Sequence, residues 1–474
     1  MISGRDRSRG APAPARGAYD RWVSERSEGE RSDGGRSGRR GLFADTTPLR
    51  TPAFRRLWTA GVVTVVGAQL TVVAVPFQLY ELTGSSAWVG LTGVFGLVPL
   101  VVFGLWGGAI ADVVDRRMLL VVSGVGIAVT SALLGVAAVT HLGGPWTVLS
   151  IFAVQTACLA VNQPTRSAVL PRIIPTDQLP AANTLWFTVQ QLGAFAGPLV
   201  GGVALAFVDV GVLYFVDTVC LTVSIWAAYR LPRLPVVEDG EVGRGETAGG
   251  FGGVVRAVRA SAGLRSVVDG FRYAAMSKVL LVSFLADVVA MGFGMPRAVF
   301  PEAAVATYGG GAAYGLLSAS IAGGAALGGL LSGRLHGIER QGVAVTVAVC
   351  LWGIGVALSG VTSILWLAVV LLAAAGAADL VSSVFRSTML QTVATDEMRG
   401  RMQGVFVVVV AGGPRLADLW HGWAADGIGT GAATTLGGIA VVIGMVGVVL
   451  AFPAFWRYRV PSAPAATESG SSLS

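Results

Sequence analysis

With 474 residues of which 53% are hydrophobic and only 13% charged, and a mean hydropathy of +0.69, the chain is too apolar for a soluble globular protein. The net charge of +7 raises nucleic acid as a partner, but the arginines are scattered over tails and short loops with no basic recognition helix, and none is expected. Cys158, Cys220 and Cys350 lie in apolar runs at unrelated spacings and offer neither a disulfide framework nor a metal site.

In chain order, residues 1–48 are rich in Arg, Ser, Gly, Asp and Pro and contain no apolar stretch, which predicts a disordered cytoplasmic tail with no signal-peptide core. Six apolar runs follow at about 57–80, 87–111, 117–140, 146–170, 180–207 and 210–231. Each approaches the ~20 residues a helix needs to cross about 30 Å of hydrocarbon. A polar interval, 232–278, contains EDGEVGRGETAGG and then LRSVVDGFRYAAMSKVL, the latter predicted to lie along the membrane surface. Six more runs, at about 279–303, 311–334, 341–361, 364–390, 401–424 and 432–456, precede a Ser/Pro/Ala tail over 458–474. The expected architecture is all-α, with about twelve membrane-spanning helices in two bundles, 49–231 and 279–457.

Arg55, Arg56, Arg116, Arg117, Arg172, Arg334, Arg340, Arg399, Arg401, Arg457 and Arg459 all fall on one side of the predicted spans. The positive-inside rule therefore places both termini in the cytoplasm. An internal repeat supports the count. TRSAVLPRIIPTDQL from Thr165 is echoed by FRSTMLQTVATDEM from Phe385, pairing Arg166 with Arg386, and nearly the same offset relates Gly107-Gly108 to Gly328-Gly329 and Pro76 to Pro296. Two six-helix halves in the same orientation require a pseudo-two-fold axis along the membrane normal.

FRRLW, PFQLYELTGSSAWVG, GGAIADVVDRR, NQPTRSAVLP and RSTMLQ with TDEMRGRMQGVF resemble the major facilitator superfamily from about Phe54 to Arg457, and within it the bacterial branch of siderophore and drug exporters. The resemblance implies a secondary active transporter in the bacterial cytoplasmic membrane. The expected activity is proton-coupled export, by alternating access, of a small amphipathic molecule such as a drug, siderophore or secreted metabolite. An importer or lipid-moving transporter of the same fold is the alternative, with a non-transporting receptor or scaffold behind it. The partners expected are a small-molecule substrate, protons and the lipid bilayer, and the chain is expected to act as a monomer. Without a Walker lysine motif, zinc-ligand spacing or GxSxG elbow, no enzymatic activity, cofactor or metal is expected.

Four groups of residues are candidates. Gly108, Asp112, Arg116 and Arg117 match the family's loop between helices two and three. There a carboxylate at Asp112 can cap the positive N-terminus of helix eleven as a conformational latch, while the arginines also serve topology. Asp115 departs from the glycine frequent in the family. Gly193, Gly197, Pro198, Gly201 and Gly202 match the antiporter pattern GxxxGPxxGG, a smooth stripe with a permitted bend, expected to pack at the domain interface or simply as small residues. Intramembrane charges are costly and mark cavities or partners. Asp287 and Asp379 are candidates for the coupling proton or for a structural salt bridge. Arg166 and Arg386 are read as interfacial anchors or substrate contacts. Arg415, Asp418 and His421 share one face of helix eleven, where an intrahelical ion pair is possible. Trp58, Phe77, Tyr80, Trp186, Phe187 and Phe195 either line an apolar pocket or anchor at the interface.

Overall fold

The computed structural model describes residues 45–231, 272, 273, 275–330, 338–393 and 396–459, with the side chains of 105, 107–109, 111–113 and 396–408 outside that set. Most of the expected tail 1–48, the interval 232–278 with its amphipathic segment and the tail 458–474 lie outside the described residues.

Among the described residues twelve long helices run in chain order: α1 (Pro52–Thr83), α2 (Ser86–Val113), α3 (Arg116–Thr140), α4 (Pro145–Ile173), α5 (Leu179–Ala204), α6 (Val210–Tyr229), α7 (Lys278–Gly294), α8 (Gly311–Leu330), α9 (Gln341–Val361), α10 (Leu365–Val393), α11 (Asp396–Ile428) and α12 (Thr430–Ala451). Ten helical stretches are long and apolar enough to cross a membrane by composition alone. The two others, α5 and α11, carry Gln190 and Gln191, and Arg415, Asp418 and His421.

The lipid-facing surface shows in the side-chain period. On α3, Met118, Val122, Val125, Val129, Leu133 and Val136 are exposed, as are Leu436, Ile439, Ile443, Val446 and Leu450 on α12. Spacings of three and four place each set on one helix face. The opposite face of α12 buries Ala433, Val441 and Met445. In water such stripes would be aggregation sites; in a bilayer they are the outer surface.

Local chemistry sets several ends. Asp115 caps α3, its carboxylate accepting from the backbone N–H of Arg117 at 2.8 Å. A residue that departs from the family's glycine therefore fills an N-cap position. Gly84, at φ +62°, closes α1 in the left-handed conformation. The run predicted over 279–303 is not one helix. It breaks after Gly294, passes Pro296 and a 3₁₀ turn, Arg297–Val299, and resumes as a short helix, Phe300–Ala306. Proline lacks the donor a continuous helix would need, although its repeat mate Pro76 sits inside an unbroken α1.

In the N-terminal half, α1 packs on α5 and α6, and α3 on α4 and α6, with α2 against α4. In the C-terminal half, α7 packs on α11 and α12, α8 on α10, and α9 on α10 and α12. Trp352 anchors that core, fully buried with its indole N–H donated to the Ala290 carbonyl at 3.1 Å. The halves meet mainly through two pairs, α2 with α11 and α5 with α8.

Candidate functional site

The interface is built at the end of the molecule bearing the α1–α2 and α11–α12 turns, the end predicted to face outward. Ser86, Gly90 and Gly93 share one face of α2, and their opposite numbers on the antiparallel α11 are Gly422, Asp418 and Arg415. A Cβ on Gly90 would meet the carbonyls of Asp418 and Leu419, and one on Gly93 the carbonyl of Arg415. Small residues let the two backbones approach this closely. At the tip, Asp426 of α11 accepts from the Ser85 hydroxyl at 2.5 Å and the Ala87 backbone N–H at 3.2 Å. It caps α2 from the other half of the molecule. Glu302 accepts from the Ser86 hydroxyl at 2.5 Å, and Phe77 stacks on Tyr314 with centroids 5.9 Å apart.

The glycine motif of α5 divides its work. Gly193, Gly197 and Gly201 face Val65, Gln69 and Val73 of α1, so the stripe packs within its own bundle rather than at the domain interface. Only the end of the motif lies against the other half: a Cβ on Gly202 would strike the Gly315 backbone of α8, and one on Gly315 would meet the Pro198 carbonyl at 2.7 Å. Gly197→Leu is accordingly expected to loosen the α1–α5 contact, lowering the yield of monodisperse detergent-solubilised protein. Wild-type yield and melting behaviour would remove the close-contact role.

A cavity of about 420 Å³ opens inside the N-terminal bundle. Its walls come from residues 57–72 of α1, 120–127 of α3, 152–166 of α4, 186–194 of α5 and 217–228 of α6, running from about mid-depth of the bundle toward the predicted cytoplasmic end. Leu57, Phe152 and Leu159 supply apolar lining, and Asn162, Gln163, Gln190 and Gln191 polar lining. Arg166 enters it from α4. Its guanidinium carbon lies 4.9 Å from the Trp186 ring centroid, and one nitrogen, Nη2, donates to the Ser224 hydroxyl at 3.3 Å. Nη1 is buried from solvent and has no hydrogen-bond partner. Asp217 of α6, 1% exposed, lines the same cavity and accepts from Thr71 at 2.7 Å and Ser131 at 2.8 Å.

The repeat-related Arg386 is housed differently. It is 4% exposed and forms an ion pair with Asp287 of α7, while a second carboxylate, Asp379 of α10, lies 3.7 Å away. Two residues chosen separately from the sequence, Asp287 and Asp379, thus converge on a third, and both cluster with Arg386 inside the C-terminal bundle. On α11 the Arg415–Asp418 pair permitted by spacing is not made within 4.0 Å. Arg415 donates to the Ala411 carbonyl at 2.9 Å, because α2 lies directly over this face. His421 is fully buried, with Nδ1 3.0 Å from the Ala417 carbonyl and its ring against Trp420.

Gly108 and Asp112 belong to the last two turns of α2, with their side chains outside those described. Arg116 begins α3, and Arg117 stacks its guanidinium 4.9 Å from the Tyr229 ring centroid. Of the aromatics, Trp186 lines the cavity, whereas Phe187 is 64% exposed on the outer surface. Sequence reasoning passed over Asp426, Glu302 and the cavity's amides. Asn162, Gln163, Gln190 and Gln191 carried a usable signal, being polar side chains inside predicted spans.

Residues 43–471 match the family model described as transmembrane secretion effector. The chain is 27% identical over 410 residues to the enterobactin exporter EntS of Salmonella typhimurium strain LT2, covering 83% of this chain and 91% of the relative. It is 27% identical over 434 residues to the enterobactin exporter of Escherichia coli O6:K15:H31, covering 89% and 96%. Among solved structures, a bacterial homologue of the human lysosomal transporter Spinster, in an inward-facing and unoccupied conformation, superposes with TM-score 0.62 at 16% identity over 87% of this chain and 97% of that one. The nucleoside transporter NupG superposes with TM-score 0.63 at 13% identity, covering 86% and 100%. At these identities the structures speak to fold alone.

Proposed function

Because the chain belongs to the transmembrane secretion effector family of the major facilitator superfamily, we propose that it exports a small amphipathic, siderophore-like molecule across the cytoplasmic membrane in exchange for protons, by alternating access. The observation that carries this reading is the pairing of a sealed outer end with a cavity on the opposite side. The seam of α2 on α11 and α5 on α8 closes one end, while the polar and apolar walls around Arg166 belong to the other. With both termini cytoplasmic, this is an inward-facing arrangement, ready to load from inside. The relatives named as enterobactin exporters support a substrate of that type.

Switching follows from the antiparallel α2–α11 pair. In the present state Asp426, near the end of α11, caps the start of α2. In the opposite state Asp112, near the end of α2, caps the start of α11. Each contact sits at a helix N-terminus, where a carboxylate is favoured, and rocking the halves exchanges one for the other. In that opposite state Gly108 is the proposed gap for α11 at the inner end, the part Gly90 and Gly93 play at the outer end here.

Coupling is assigned to the Arg386 cluster. One guanidinium faces two carboxylates, Asp287 in a direct ion pair and Asp379 at a longer contact, and Arg297 also acts electrostatically on Asp379. Asp287 is held by its ion pair. Asp379, with its side chain 27% exposed, is the member a proton can reach without displacing an arginine. In proteoliposomes, efflux driven by a pH gradient is expected to fall at least about tenfold in Asp379→Asn, a loss of one coupling step worth about 1.4 kcal/mol or more, while gradient-independent substrate exchange survives. Wild-type gradient dependence in that variant would move coupling elsewhere.

A further inference from the structure

The two repeat-related arginines differ in one physical respect. Arg386 is buried beside Asp287 and Asp379, whereas Arg166, among the described residues, has no carboxylate within 4.0 Å. It rests on the Trp186 ring, donates once to Ser224, and leaves Nη1 buried without a hydrogen-bond partner. A guanidinium inside a membrane bundle is costly unless a counter-charge or hydrogen-bond acceptor meets it. In the C-terminal half the protein supplies that counter-charge itself. In the N-terminal half the guanidinium instead lines a cavity of about 420 Å³, within the range of sites for small molecules.

The nearby acid, Asp217, does not fill the role. On α6 it is seven residues from Ser224, roughly 10 Å along the helix axis, and Thr71 and Ser131 already donate to it. A glycine on another helix lets Trp186 and Arg166 pack this closely. A Cβ on Gly61 of α1 would clash with the Trp186 ring and meet Arg166 Nη1 at 3.4 Å. Four helices thus hold a cation against an aromatic face and leave one of its nitrogens without a hydrogen-bond partner.

We propose that Arg166 is the anion-binding subsite of the transported molecule, receiving a carboxylate or ionised phenol of an aromatic, amphipathic substrate. The guanidinium fork matches an anionic oxygen group. Trp186 gives the attached ring a flat apolar surface, and the amides of Asn162 and Gln191 can take up its neutral polar groups. This assignment rests on the reading of the chain as a transporter, but it concerns binding and can be tested without a gradient.

The probe is 1-naphthoate, with 1-naphthamide as its neutral counterpart of nearly the same shape, titrated calorimetrically into the purified full-length protein in detergent. Wild type is expected to bind naphthoate at least about tenfold more tightly than naphthamide, the size of effect a charge-assisted hydrogen bond confers. Arg166→Gln is expected to lose that preference while keeping the weaker naphthamide binding. Equal affinity of wild type for the two probes overturns the proposal even if the variant does not fold, and so does an undiminished preference for naphthoate in Arg166→Gln. Inorganic phosphate, charged but with no apolar part, is expected to compete poorly, and displacement of naphthoate by phosphate at equal concentration would refute an aromatic substrate. If naphthoate binds as expected and proteoliposomes show no vectorial efflux, the exporter reading fails and the subsite stands.

Discussion

Asp287→Asn is expected to destabilise the C-terminal bundle by about 3 to 5 kcal/mol, the cost of removing one partner from a buried ion pair. The reason is what remains. Arg386 stays enclosed at 4% exposure, and its surviving contacts are the Ser382 carbonyl at 3.4 Å and Asp379 at 3.7 Å, both longer than the ordinary range for strong charged hydrogen bonds. Much of the loss is therefore the penalty of a buried guanidinium left with only long contacts rather than the worth of the pair. Two measurements check this. The melting temperature of the detergent-solubilised variant should drop by on the order of 10 °C, and the double variant Asp287→Leu with Arg386→Met should recover a large part of the loss by removing both charges together. A single variant that melts with wild type, or a double variant no better than the single, would show that the cluster is not structural.

The second large effect is conformational. Gly202→Leu places a side chain where a Cβ already meets the Gly315 backbone and, at 2.9 Å, the Gly311 carbonyl. Backbone cannot rotate away as a side chain can, so α5 and α8 must separate and the sealed end must open. Turnover in proteoliposomes is expected to fall more than about tenfold, equivalent to at least ~1.4 kcal/mol against the closed-outside state, with the protein still inserted and soluble in detergent. Spin labels at 206 and 310 should report a longer distance than in wild type. Asp426→Ala offers a graded companion, because it removes the two contacts from Ser85 and Ala87 without adding bulk. Since that carboxylate is exposed, its loss should shift the same equilibrium by only ~1 kcal/mol, about fivefold. Unchanged label distances and turnover in Gly202→Leu would sink the idea that this glycine contact closes the outer end.

The helices were legible because lipid imposes a simple rule. A chain that must satisfy its backbone internally and present apolar side chains outward spans the bilayer in helices of nearly fixed length. Runs such as 117–140 and 341–361 therefore announced α3 and α9 almost to the residue. The break in α7 was not announced, since Pro76 and Pro296 occupy matching positions and only one interrupts its helix. The polar seam at the outer end was equally hidden. Ser85, Glu302 and Asp426 lie in three separate parts of the chain at ordinary helix ends, and nothing local marks them as neighbours.

The same division holds for the arginines. That Arg166 and Arg386 are equivalent by repeat, sit within spans and demand a partner could be read from residue order and the cost of a charge in hydrocarbon. Whether a carboxylate meets each one depends on how α7 and α10, or α4, α5 and α6, are set against one another, which no linear spacing encodes. Period, length and repeat determined the two six-helix bundles and the positions of their costly charges. Only the packing of distant helices decided that Asp287 closes one site, that Gly61 lets Trp186 pack on Arg166 at the other, and that glycines on α2, α5 and α8 bring the halves together at one end, because such contacts arise from three-dimensional proximity between segments far apart in the chain.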